Sequence, residues 1–228
     1  MNKIVKILVF LFIIFFPLSA TSHVEHYENL NNLKFDIYRN NKHIGTHVFS
    51  FKKSGENLIV ESEINFEIKK LGVVLYRYHV KGTETYKNGK LIEFKSKTDQ
   101  NKKKKYVNLI LEDNNEFLID GSSYKGKAPN DYVIGTWWNH SIVNAKAQIS
   151  AVSGRIIEQK VKYLGKETIN SNGKTYETLH FNISSTDSKL SKDKKLNTDV
   201  WYDEKTLNWV KATFNKKGNW EYKLITMN

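Results

Sequence analysis

Between Leu33 and Ile119, apolar and polar residues alternate with a period of two, and asparagine-rich turns cut the alternation at short intervals. Side chains repeat every second residue along a strand, and the apolar positions here are mostly β-branched or aromatic, so the segment predicts a run of strands. Phe35 and Ile37 precede Asn40-Asn41, and Phe49 and Phe51 lie on the return strand. Ile64, Phe66 and Ile68 share one face, and so do Tyr76, Tyr78 and Val80. Asn88-Gly89 is the sharpest hairpin signal, because both of its residues tolerate the left-handed backbone of a two-residue turn. Val107, Leu109 and Leu111 continue the rhythm, and Asn114-Asn115 turns the chain into Phe117 and Ile119.

Residues 122–154 break the pattern with Gly126, Pro129, Gly135 and the segment Trp137-Trp138-Asn139-His140, and they predict a loop with one short helix around 136–147. Strands resume from Arg155 to Tyr163, turn at Asn172-Gly173, and close the chain at Thr198–Tyr202, Trp209–Phe214 and Trp220–Ile225, after a charged loop at Asp187–Lys195. The fold class is mainly β: an antiparallel meander with one apolar face per strand, which must curl into a barrel, half-barrel or sandwich to bury those faces. Curled sheets of this kind commonly enclose an apolar cleft.

Lys3 and Lys6 precede an apolar run from Ile7 to Phe16, ended by Pro17 and followed by Leu18-Ser19-Ala20. Spanning a bilayer takes about 17 to 25 apolar residues, so this run reads as a secretory signal, cleaved near Ala20 or Ser22. The expected organisation is a signal over 1–20, a short segment over 21–32 and one β domain over 33–226, periplasmic and without a lipid anchor, since no cysteine is present to carry one. The same absence removes disulfides and thiol chemistry.

The formal charge is +12, yet only Arg39, Arg77 and Arg155 carry guanidinium groups. Nucleic-acid recognition favours arginine for its bidentate fork, so nucleic acid is not an expected partner. The lysines suit an anionic surface or polymer, and the abundance of Lys, Asn and Ile equally matches the coding bias of an AT-rich genome. The expected partner is a lipid or other apolar envelope ligand held in a cleft, the alternative being an envelope interaction protein that binds a protein partner or anionic polymer; peripheral membrane contact is left open, and the expected state is a monomer.

Phe35-Asp36-Ile37-Tyr38 leading through Asn40 to Ile44-Gly45-Thr46-His47, then Trp138-Asn139, then Asp199-Val200-Trp201-Tyr202, resemble a domain-of-unknown-function family of exported bacterial proteins. The resemblance runs from Leu33 to Leu224 and departs from the family pattern at His140 and at Ser153-Gly154. It implies export and a β-rich fold and brings no activity with it. Trp201–Lys211 is also similar in layout to lipoprotein-carrier half-barrels of the bacterial envelope.

The chain has no HExxH, paired CxxC, GxSxG or phosphate-binding glycine loop, and its carboxylates read as dispersed along strand faces. No catalytic residue, metal ligand or cofactor is assigned, and an enzyme reading ranks last. His43 and His47, four apart on one strand, would share a face about 13 Å apart, too far to share a metal. His23 and His26 with Glu25 and Glu28 form at most a weak cluster near the start of the mature chain. The candidate ligand-binding residues are His47, Tyr78, Trp137, Trp138, Asn139 and His140. The two indoles have two readings: they plug the open end of the barrel, with Asn139 satisfying loop backbone groups, or they line the mouth of a cleft.

Overall fold

The computed structural model describes Tyr27 and residues 29–191 and 194–228; the signal-like segment and the cluster of His23, Glu25, His26 and Glu28 lie outside them. The described chain forms β1 (Asn32–Arg39), β2 (Lys42–Ser54), β3 (Asn57–Lys70), β4 (Val73–Lys87), β5 (Lys90–Gln100), β6 (Lys103–Leu111), β7 (Glu116–Gly121) and β8 (Lys125–Pro129). After these come β9 (Val133–Ile134), β10 (Ala147–Ile149), β11 (Ile156–Ser171), β12 (Lys174–Ser185), β13 (Asn197–Asp203), β14 (Trp209–Asn215) and β15 (Asn219–Met227).

All fifteen strands form one sheet, in the order β8-β7-β6-β5-β4-β3-β2-β1-β15-β14-β13-β12-β11-β10-β9. Every pairing is antiparallel except β9 with β10. In a flat sheet the two edge strands would stand about 65 Å apart at 4.8 Å per strand, whereas the Asn130–Tyr132 link between them reaches at most about 15 Å. The sheet therefore curls until its edges approach one another.

Inward positions along the meander supply the core: Phe35 and Ile37, Phe49 and Phe51, Val60, Phe94, Leu109 and Ile119 are all buried. Trp209 lies across the middle, stacked on Phe35 at 3.8 Å between ring centroids. Among the described residues no helix is long and apolar enough to cross a membrane.

Two local expectations change. The helix expected around 136–147 is a 3-10 turn of four residues, His140–Val143, because the apolar side chains of this segment are held by the sheet around it and not by their own periodicity. His43 and His47 do not share a face. The register shifts so that Ile37 pairs with Gly45 and Tyr38 with His43, leaving Ile44 as the extra residue of a bulge. His47 then turns into the core, and His43 stays outside near Asp36 at 3.4 Å.

Candidate functional site

The segment from Tyr132 to Gly154 folds into the concave side of the sheet, and a buried carboxylate fastens it there. Glu84 sits on β4 in phase with Val80 and Tyr86, so strand alternation points it inward, where it is 1% exposed. Its Oε1 accepts hydrogen bonds from Thr136 Oγ1 at 2.9 Å and Trp138 Nε1 at 2.8 Å, and its Oε2 accepts from Tyr86 Oη at 2.5 Å. Burial raises the Glu84 pKa above the usual carboxylate value, and these three donors oppose the rise without cancelling it.

Further ties hold the same segment. Tyr202 Oη donates to the Trp137 carbonyl at 2.8 Å, and Ser96 Oγ donates to that of Ala151 at 2.5 Å. Gln159 on β11 donates from Nε2 to the carbonyls of Ile142 and Ala145 and accepts from Gln148. Tyr27 Oη accepts the backbone N–H of His140 and donates to the Leu207 carbonyl, which ties the N-terminal approach to both sides of the barrel.

Where this plug meets the β4–β5 turn, a cavity of about 230 Å³ remains. Tyr86, Leu91, Leu111, Tyr132, Val133 and Ile134 give it apolar walls, and Lys90, Asn130, Asp131, Asn139 and Ser141 supply polar groups. Asn139 caps the 3-10 turn by accepting the Ser141 N–H at 2.9 Å. The cavity is linked to Glu84 through Tyr86, which lines it and donates to the carboxylate. Its chemistry is that of a small amphipathic binding site, an apolar interior with a few polar groups that fix orientation.

The structure distributes the six candidate residues over three places. Trp138 is fully buried, edge-on to Tyr27, Phe51 and Tyr86 at 5.0, 5.3 and 5.7 Å. Trp137 adopts a left-handed backbone (φ 63°) and packs against Trp209, Phe214 and Tyr222. His47 is buried against Phe49 at 4.1 Å, and neither ring nitrogen has a hydrogen-bond partner among the described residues. Burial lowers its pKa from the ordinary 6.5 to about 3, which keeps the imidazole neutral. His140 is buried with its ring edge-on to Tyr202 at 4.8 Å. These four side chains pack the plug against the curled sheet.

Asn139 is the one of the six that lines the 230 Å³ cavity. Tyr78 lies elsewhere, stacked on Phe66 at 4.9 Å and bordering a separate groove of about 440 Å³ whose other walls include Glu67, Arg77, His79, Asp99 and Lys102. Reading motifs missed Glu84 and Tyr86. The signal was present, since extending the inward phase of Tyr78 and Val80 by two and three further steps puts a carboxylate and a phenol inside. No group of three or more His, Cys, Asp or Glu suited to a metal ion occurs among the described residues.

The model of a domain of unknown function, DUF6134, matches residues 35–225. The chain belongs to this family. The match spans all but the outermost parts of β1 and β15, so the plug, Glu84 and the cavity all fall within the family domain. No curated protein matches the chain.

The fold is similar to that of a β-barrel-like protein of the domain-of-unknown-function family DUF1849 from Brucella abortus. The TM-score is 0.61 at 10% identity, covering 87% of this chain and 97% of that one. A protein described as exported, with a YmcC-like fold, from Bacteroides fragilis is similar at a TM-score of 0.37 and 9% identity, covering 86% and 94% of the two chains. A protein described as a lipoprotein from Parabacteroides distasonis is similar at 0.39 and 11%, covering 88% and 96%.

Proposed function

We propose that this protein is exported to the periplasm and binds a small amphipathic molecule, such as an acyl chain with a polar head, in the cavity between the plug and β4–β6. The observation that carries this reading is the cavity itself: Leu91, Leu111 and Ile134 surround the space while Asn139, Ser141 and Lys90 stand ready for a polar head. This reading sets the site beside, and not at, the Trp137, Trp138 and His47 side chains expected from the sequence. Those side chains fill the interior of the curled sheet, and the cavity lies to one side of the plug, around Asn139. Export is supported by the Lys3–Ala20 leader pattern.

The volume suits one short chain, being about that of eight liquid waters. A Leu111→Trp substitution would occupy much of it from the rim. Native mass spectrometry of the protein recovered from an envelope extract is expected to show one small bound molecule that is absent from Leu111→Trp. Recovery of the wild type without any bound mass, in repeated preparations, would overturn the reading.

A further inference from the structure

The hairpin joining β3 to β4 has an apex unlike its counterparts. Four other two-residue turns place both residues in the left-handed region, and each begins with asparagine: Asn40-Asn41, Asn88-Gly89, Asn101-Lys102 and Asn172-Gly173. At the β3–β4 apex the first position is Leu71 (φ 49°), followed by Gly72 (φ 80°). Leucine lacks the short polar side chain that makes asparagine tolerable there, so the turn is disfavoured locally. Leu71 gains nothing from packing in return, because it is 95% exposed. Such an outlier points from local cost to function.

This apex also stands clear of the sheet. On one side β2 pairs with β3 only as far as Gly45 opposite Phe66, and on the other β5 pairs with β4 only from Tyr78 opposite Gln100. Apart from the Asn101 N–H bond to the Arg77 carbonyl at the base, residues 67–77 therefore form backbone pairs only with each other, a two-stranded finger running about 15 Å beyond its last ladder pairings with β2 and β5 at 3.3 Å per residue. Its base is braced by Glu67, which pairs with Arg77 at 2.7 Å and Lys69 at 3.1 Å. Beyond that brace, Val73 and Leu75 alternate onto the outer face, 62% and 54% exposed. A free ribbon of this kind is marginal in water and gains from a surface that covers its apolar side.

The surroundings indicate what covers it. Antiparallel alternation brings the β1–β2, β3–β4, β5–β6 and β14–β15 turns to one end of the sheet, and these turns carry exposed Lys42, Lys70, Lys102, Lys103 and Lys217. Lys70, Lys102 and Lys103 have no ion-pair partner among the described residues. A projecting apolar tip set in a collar of lysines matches an anionic bilayer surface, where aliphatic side chains enter the interface and ammonium groups meet phosphates. A protein-binding hot spot would favour tryptophan, tyrosine and arginine at its centre, and this tip offers leucine, valine and lysine.

We infer that the β3–β4 finger docks the protein on anionic lipid bilayers, with Leu71, Val73 and Leu75 inserted and the surrounding lysines on the headgroups. The docking end lies opposite the Gly89–Leu91 mouth of the cavity, so the inference stands independently of the proposed ligand.

The test is sedimentation with vesicles of phosphatidylglycerol and phosphatidylethanolamine, with pure phosphatidylcholine vesicles as the neutral control. Wild type and Leu71→Asn, purified in parallel from cells, differ only at the apex, so any contribution of the leader cancels. Asparagine is the residue this chain already uses at its other turns, so Leu71→Asn is expected to fold with an equal or higher Tm. The expected result is wild-type binding to the anionic vesicles that weakens with salt, at least a tenfold loss in Leu71→Asn, and full retention in the cavity variant Leu111→Trp. Equal binding by wild type and a well-folded Leu71→Asn would overturn the inference, as would equal binding to neutral vesicles. Absence of wild-type binding to the anionic vesicles would also overturn it, and a crosslink from the finger to another protein would then favour a protein partner.

Discussion

Replacing Glu84 with leucine removes a carboxylate on which three donors converge from two parts of the chain. Tyr86 lies on the same strand, whereas Thr136 and Trp138 belong to the plug. Leucine matches much of the volume and spares the desolvation of a carboxyl, yet it leaves the Trp138 indole N–H and two hydroxyls buried without their acceptor. Each orphaned buried donor costs about 1 to 3 kcal/mol. The hydroxyls can rotate toward other acceptors and the indole cannot, so the net expected loss is about 3 to 5 kcal/mol. That is a large part of the total stability of an ordinary domain.

The measurement is urea unfolding at pH 7, followed by tryptophan fluorescence, with hydrogen exchange of the Trp138 indole as a local probe. The same substitution in a Thr136→Val background should cost less than in the wild type, because one of the three donors is then already gone. A Glu84→Leu protein within 1 kcal/mol of wild type, with its Trp138 indole still protected, would refute the latch.

The pH dependence supplies an independent check with a fixed sign. Because burial raises the Glu84 pKa above its unfolded value near 4.5, the folded state holds the proton over a window in which the unfolded state has lost it. Stability from this group is present at acid pH and declines as pH rises from 4.5 through the folded pKa. Glu84→Gln should remove that decline.

His47 titrates with the opposite consequence: its folded pKa of about 3 lies below the ordinary 6.5, so the unfolded state takes up a proton first and stability is lost as pH falls from 6.5 toward 3. His47→Leu is expected to flatten that limb, which is worth up to about 5 kcal/mol; an unchanged acid limb in urea titrations would count against a buried neutral imidazole. Gly45→Ala would place a Cβ 2.1 Å from the Asn65 carbonyl oxygen of the neighbouring strand, so a loss of more than about 2 kcal/mol or a register shift between β2 and β3 is expected, read by thermal melting and amide exchange. Gln159→Leu should free the Ile142 and Ala145 carbonyls, costing about 2 to 4 kcal/mol and raising amide exchange across residues 140–149, with Tm and exchange as the readouts.

The meander was legible because strand alternation and turn chemistry are local. Asn40-Asn41, Asn88-Gly89 and Asn172-Gly173 take the left-handed backbone that their residue types suggest, and Phe35, Phe49 and Val107 face inward as their phase indicates. What was not legible depends on contacts distant in sequence. The bulge at Ile44 reverses the phase between His43 and His47, and its reason, the close approach of Gly45 to Asn65, lies on another strand. β9 and β10 are two and three residues long, too short to carry a period, and exist because Gln148 and Ile149 find Val133 and Ile134.

At the site, the aromatic segment at 137–140 drew attention for its composition, and the structure puts most of that composition to work in packing. Tyr86 and Glu84 were hidden by the opposite habit of reading a strand carboxylate as solvated. Only the strict phase of β4, running inward through Val80, Gly82, Glu84 and Tyr86, reveals the exception.

The central claim, a ligand seated between the plug and β4–β6, is tested most directly by titrating the protein with dodecanoate while following methyl resonances by NMR. Saturable shifts confined to Leu91, Leu111, Val133 and Ile134 are expected, with the methyls of Leu71, Val73 and Leu75 unmoved below the micelle concentration. Shifts confined to the finger, or no saturable shift at the cavity methyls, would contradict it.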